Sequence, residues 1–249
     1  MNSIIETPYE ALKVGEIVRK NPLAASVFSD LGIDFCCGGN VLFTEACQNK
    51  NADPAAVWQV VEQSKGNEAT SRTLNFDEFE LDFLSDYLVN VHHHYLYKNL
   101  PEIRFFVDKV VNKHAERFAY LEELCQLYNV LERDLVGHLP KEENILFPYI
   151  KQMLSEMKQQ TEATQPFFGT IRNPLSVMHA EHDEAGEILH RLRTITNNYT
   201  PPENACNSHL VMLAKLKELD QDLVQHIHLE NNILFPKVVI LEEEYFKNS

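Results

Sequence analysis

The chain has 249 residues, enough for one large domain or for a large domain with a small one, and two domains is the preferred reading. Its 22 lysines and arginines against 37 aspartates and glutamates give a formal charge of -15, which argues against a nucleic-acid backbone or an anionic membrane surface as partner. Five cysteines, odd in number and two of them adjacent, do not read as a disulfide framework. With no leader-like N-terminus and no apolar run of about 18 residues, the expectation is a soluble, cytoplasmic protein.

Helix signals dominate. Proline follows Thr7, Asn21, Asp53 and Asn173, each a residue type able to cap the orphan N–H groups of a helix start. Residues 8–62 read as short helices, PYEALKVGEIVRK, PLAASVFSDLG and PAAVWQVVEQ, around a compact turn, IDFCCGGN. In that turn Cys36 and Cys37 precede two glycines, which permit positive φ and close backbone approach. Vicinal thiols suit metal transfer, redox chemistry or nitric oxide capture better than a strained ring disulfide. The plainer alternative is a tight turn with one buried and one exposed cysteine. Cys47, Cys125 and Cys206 read as ordinary small apolar residues. A small helical domain over 1–63, a polar linker over 64–74 and a second domain over 75–249 follow from these shifts in composition.

Beyond the linker, apolar residues recur at three and four. Phe76, Phe79, Phe83 and Tyr87 lead to His92, His93 and His94, and Leu124, Tyr128, Leu131 and Leu135 lead to His138 and Glu142. Leu175, Met178, His182, Ala185, Leu189 and Leu192 form a third stripe, and Met212, Leu216, Leu219 and Leu223 lead to His226 and Glu230. An all-α fold of four amphipathic helices results, with turns expected near 112–120 and 197–205, where NNYTPPENA carries adjacent prolines.

The segments HLPKEENILFP (138–148) and HIHLENNILFP (226–236) agree at seven of eleven positions. A histidine and a glutamate four residues apart lie side by side on a helix, so each segment offers a two-donor module. His93 precedes His138 by 45 residues and His182 precedes His226 by 44, so the repeat covers a whole helical hairpin. One such His-Glu pair alone favours a solvated pair, but two on core stripes with matched upstream histidines reverse that reading. Two buried carboxylates would cost several kcal/mol in desolvation unless cations neutralised them. Carboxylates with imidazoles suit iron or manganese, iron being preferred, whereas structural zinc favours thiolates or four closed ligands. Two ions fit four imidazoles and two carboxylates, with coordination positions left open for chemistry.

Helical phase from Phe83 and Tyr87 favours His94, places His93 at the edge of the stripe and turns His92 to solvent. Pro140 should kink its helix by opposing the Val136 carbonyl. The Ile-Leu-Phe-Pro exits read as packing followed by a helix end. His179 and Glu181 read as outer partners of His182 or as solvated surface, His114 as a surface or bundle-end residue, and His190, His209 and His228 carry no signal.

GIDFCCGG at 32–39, LPEI at 100–103, the two His-Glu segments, SVMHAEHDEAGE at 176–187 and NNYTPPENAC at 197–206 together resemble the Repair of Iron Centres family, hemerythrin-like di-iron proteins of the ScdA/YtfE type, over nearly the whole chain. The resemblance implies a small N-terminal domain with the cysteine pair and a hemerythrin-like four-helix bundle. Its iron ligands would fall on His93, His138, Glu142, His182, His226 and Glu230, the two glutamates bridging. It selects His93 over His94. Repair of iron–sulfur clusters damaged by nitrosative or oxidative stress is the implied function, by supply of iron, with Cys36 and Cys37 as candidates for receiving or guiding it. Damaged iron–sulfur proteins and nitric oxide or dioxygen-derived molecules are the implied partners, and a homodimer is compatible with the sequence. The alternatives are reduction of nitric oxide at the di-iron centre and a hemerythrin-like binding protein for dioxygen or iron.

Overall fold

The computed structural model describes residues 8–65 and 74–247. Among the described residues there is no β-strand, only an isolated bridge between Lys13 and Leu42, so the chain is all-α as expected. Most of the expected linker lies outside the described residues. No described helix is long and apolar enough to cross a membrane. Two compact units divide the chain: Met1–Glu80 with Ile227–Lys237, and Leu81–His226 with Val238–Ser249.

The first unit holds helices α1 (Val14–Lys20), α2 (Ala24–Asp30), α3 (Phe43–Asn49) and α4 (Pro54–Lys65). Phe28 and Phe43 are wholly buried, their rings 6.0 Å apart, and Phe35 and Trp58 complete the cluster. Each such ring withdrawn from water contributes about 2–3 kcal/mol, which lets helices of two turns persist that would not survive alone. Asp53 caps α4 as expected, its Oδ1 accepting from the Ala55 N–H at 3.1 Å. Asn21 does not cap. It is buried and ties α1 to α4, donating to the Val61 carbonyl at 3.1 Å and to Ser64 Oγ at 3.0 Å. Asn173 donates to the Phe168 carbonyl, and Thr7 lies outside the described residues.

Segment 227–237 joins this unit through Asn232. Its Oδ1 would lie 2.3 Å from a Cβ placed on either Gly15 or Gly39, a separation real side chains do not adopt. A side chain at either position would have to displace Asn232. Among the described glycines only Gly32 and Gly169 have positive φ, so the CCGG turn uses its second glycine for close approach and not for a left-handed backbone.

The second unit is built on two long antiparallel hairpins. Helices α6 (His94–His114) and α7 (Tyr120–Lys141) form the first, and α9 (Arg172–Ile195) and α10 (Asn207–Leu229) the second, with turns at the expected places. Helices α5 (Leu81–Tyr87), α8 (Phe147–Gln159) and α11 (Phe235–Lys247) extend these runs. An ion pair locks each hairpin at matching positions. Arg104 Nε donates to Glu132 Oε2 at 2.9 Å, and Arg193 Nε donates to Asp220 Oδ2 at 2.7 Å. Both arginines stand eleven residues after His93 or His182, and both acids six residues before His138 or His226, so the duplication reaches the outer packing.

The stripe leading into the first histidines differs from expectation. Phe83 is 55 % exposed, and the core face runs through Leu84, Leu88, Leu96, Leu100 and Ile103. Aromatic size misled the phase: Leu84 and Leu88, one residue along, take the interior.

Candidate metal centre

Three π-helical turns interrupt the long helices, at Leu88–His93, Glu142–Leu146 and Glu230–Leu234. In each, the following amide bonds five residues back instead of four: His94 N–H to the Val89 carbonyl, Phe147 N–H to Glu142 and Phe235 N–H to Glu230. The widened turn explains the histidine ambiguity. Counting 3.6 residues per turn carries the phase past the site, whereas the π turn brings both His92 and His93 inside and leaves His94 exposed. His92 is 3 % exposed, not solvated; its Nδ1 lies 2.9 Å from Asp222 Oδ1 and its ring stacks on His226.

The Ile-Leu-Phe-Pro segments also gain a reason. Neither ends a helix, for α8 and α11 continue from them. Pro148 and Pro236 have no N–H and crowd the carbonyl four residues back, that of Asn144 or Asn232, and a π turn relieves this by widening the helix there. Pro140 is not the cause, since the second copy has His228 at that place and the same π turn.

The six expected side chains, His93, His138, Glu142, His182, His226 and Glu230, are all buried. They form two sets whose ligand atoms lie within 4.8 Å of one another: His93, Glu142, His226 and Glu230, and His138, Glu142, His182 and Glu230. Both carboxylates belong to both sets. Glu142 shows how: its Oε2 lies 3.4 Å from His93 Nε2, while its Oε1 lies 3.2 Å from His138 Nε2.

Outer carboxylates fix the protons. His93 Nδ1 lies 2.8 Å from Glu143 Oε1, and His138 Nδ1 lies 2.7 Å from Glu181 Oε2. A carboxylate only accepts, so each Nδ1 carries the hydrogen, which leaves Nε2 of each ring facing inward as the position at which a cation would bind. His138 Nε2 also lies 3.3 Å from His182 Nε2. Lone pairs and carboxylate oxygens gathered at these separations repel one another unless positive charge sits among them. A metal ion suits this donor chemistry, and the residues present fit one. Burial alone would raise Glu181, but Lys141 and His138 beside it hold its carboxyl below the usual range, so it stays an anion that keeps the His138 tautomer. Glu181, expected beside His182 or on the surface, thus supports His138 instead, and His179 is exposed.

A third set, Asp34, Cys36 and Cys37, lies in the first unit. Asp34 Oδ1 accepts from the Cys36 N–H at 2.9 Å, the Cys37 N–H at 3.1 Å and the Cys36 thiol at 3.1 Å, and Oδ2 accepts from the Gly38 N–H at 2.9 Å. Cys36 is buried and Cys37 half-buried, close to the plainer tight-turn alternative. The neighbouring Cys37 thiol, burial and the Asp34 carboxylate all push the Cys36 thiol up, which keeps it protonated. Asp34 was missed in the sequence, although an aspartate two residues before a turn is a common acceptor for its amides.

Comparison with known proteins agrees with this arrangement. The model of the hemerythrin HHE cation binding domain matches residues 85–238, and that of a domain of unknown function, ScdA_N, matches residues 11–65. A probable iron–sulfur cluster repair protein of Haemophilus influenzae is 33 % identical over 231 residues, 91 % of this chain and 96 % of the relative. The iron–sulfur cluster repair protein YtfE of Escherichia coli O81 is 33 % identical over 238 residues, 93 % of this chain and 98 % of the relative. YtfE of an Enterobacter species is 33 % identical over 230 residues, 91 % and 96 % of the two chains. With both family models matching and relatives about a third identical over nearly the whole chain, the chain belongs to the hemerythrin HHE cation-binding family, in the group of YtfE-type iron–sulfur cluster repair proteins.

Proposed function

We propose that the chain is a di-iron protein that repairs damaged iron–sulfur clusters by supplying iron to them. The observation that carries this reading is the double membership of Glu142 and Glu230 in two donor sets, a layout that suits two ions sharing bridging carboxylates. The ligands are His93 and His226 for one ion and His138 and His182 for the other. When bound, iron in such a shell keeps open positions and is the cargo that a damaged cluster requires. The names of the relatives support cluster repair as the task.

The chain's own residues set how the iron is held and released. Six protein donors leave two octahedral ions unsaturated, so the cage binds without enclosing. Glu143 and Glu181 hold His93 and His138 with Nε2 inward, which orders the site before iron enters. The surrounding leucines exclude water and strengthen each charge interaction. Asp34, Cys36 and Cys37 offer a second, softer donor set at which iron can be held in transfer; the protonated Cys36 must lose its proton to bind, so this set takes up iron reluctantly and yields it readily.

Protein purified without oxygen should contain two irons per chain with the Mössbauer spectrum of a coupled pair, and should restore activity to a nitric oxide-damaged iron–sulfur enzyme. A chelator present during repair should abolish the recovery. Glu142→Ala should lose both irons together, because its two oxygens face different imidazoles. Retention of two tightly bound irons by that variant, or full repair in the presence of chelator, would remove the proposal.

A further inference from the structure

At the end of the second unit that carries the hairpin turns, three residues without a role in the metal centre meet. His114 is the last residue of α6, Cys206 directly precedes α10, and His209 lies in the first turn of α10. Cys206 Sγ lies 3.3 Å from His114 Nε2. Both are half-buried, so solvent reaches the pair. The carbonyl of Cys206 accepts from the N–H groups of His209 at 2.9 Å and Leu210 at 3.0 Å, which seats the cysteine on the N-terminus of a 23-residue helix.

Two helix ends thus present opposite signs. Cys206 stands at the N-terminus of α10, the end that favours anions, and His114 at the C-terminus of the 21-residue α6, the end that favours cations. That is the charge pattern of a thiolate–imidazolium pair. The ring of His114 is held in place by His209, stacked with centroids 6.4 Å apart, and by Phe118. His209 is fully buried; burial and the neighbouring His114 push it down, while burial pushes Tyr120, whose hydroxyl lies 2.5 Å from His209 Nε2, up to about 12. Both supports stay uncharged at neutral pH.

We propose that Cys206 is a nucleophilic thiol activated by His114, a site at which the protein takes up a small thiol from a low-molecular-weight disulfide. The Sγ proton passes to His114 Nε2, and the thiolate attacks one sulfur of the disulfide. The new sulfur–sulfur bond forms as the old one breaks, and the departing thiolate takes the proton from His114. One disulfide is exchanged for another plus a thiol, with no further oxidant. Iron takes no part.

The test treats the full, iron-loaded chain with oxidised glutathione under anaerobic conditions and follows each cysteine by peptide mass spectrometry. Cys125, also half-buried, is the internal reference. Cys206 should be modified about tenfold faster than Cys125, and His114→Gln should bring it down to the reference rate while Cys125 is unchanged. Equal rates in the unaltered chain would overturn the proposal, as would a His114→Gln variant that keeps the Cys206 advantage. Should that variant disturb the bundle, seen as a changed Cys125 rate, the comparison within the unaltered chain decides.

Discussion

The two copies of the His-Glu segment keep one backbone and diverge in what they touch. Both carry a π turn that starts at the glutamate, and both run on through Ile-Leu-Phe-Pro into another helix. In the first copy Asn144 merely donates to the Pro140 carbonyl on its own exposed helix face, at 2.8 Å. In the second copy the matching Asn232 Nδ2 lies 3.2 Å from the carbonyls of both Phe35 and Cys36 and 3.1 Å from His228 Nδ1. Glu143, which orients His93, is matched by Asn231. Donor geometry is thus the part that both copies hold fixed. The outward positions were free to differ, and in the second copy they grip the cysteine loop.

The hairpin ion pairs sharpen this comparison most. Asp220 is 4 % exposed and also accepts from the Tyr199 hydroxyl at 2.7 Å, whereas Arg104 and Glu132 are only part-buried. Arg193→Ala should cost about 3 kcal/mol, because it strands a buried carboxylate. Arg104→Ala should cost about 1 kcal/mol or less. Urea midpoints of the two variants should separate in that order, and equal midpoints would show the hairpins to be interchangeable.

Asn232 comes next. Replacing it with alanine should destabilise the first unit by about 2 kcal/mol, since it removes the amide that serves the Cys36 carbonyl and leaves the Phe35 carbonyl only its longer contact with His228, while Asn144→Ala should change stability by less than about 0.5 kcal/mol. Fluorescence of Trp58, the chain's single tryptophan and a member of the first unit, reports the loss.

Just below neutral pH the smallest difference comes from protonation, and it grows as the pH falls. Burial pushes His228 from 6.5 down to about 4; the Phe35 carbonyl, 3.4 Å from Nδ1, opposes this as an acceptor, and the nearby Arg19 adds to the downward push. The unfolded imidazole therefore takes a proton at higher pH than the folded one. Stability is complete above about pH 6.5 and falls by roughly 1.4 kcal/mol per pH unit toward about pH 4. A protonated Nδ1 would also confront the Asn232 amide donor. The first copy has Pro140 here and no such slope. His228→Gln should flatten the pH dependence of the Trp58 unfolding midpoint; an unchanged slope would place the acid sensitivity elsewhere.

The sequence by itself determined what is local. The helical class followed from apolar spacing, the His138–Glu142 and His226–Glu230 modules from the covalent geometry of a helix, and the hairpin turns from the position of breakers. Tertiary structure decided what depends on departures from ideal helical phase and on distant packing. The π turn brought His92 and His93 inward and left His94 exposed. The supporting carboxylates Glu143 and Glu181, the grip of Asn232 on the loop, and the meeting of His114, Cys206 and His209 join residues 50, 43, 196 and 92 positions apart. No spacing rule reaches that far, because such contacts arise only when whole helices close against one another and each buried polar group must find a partner.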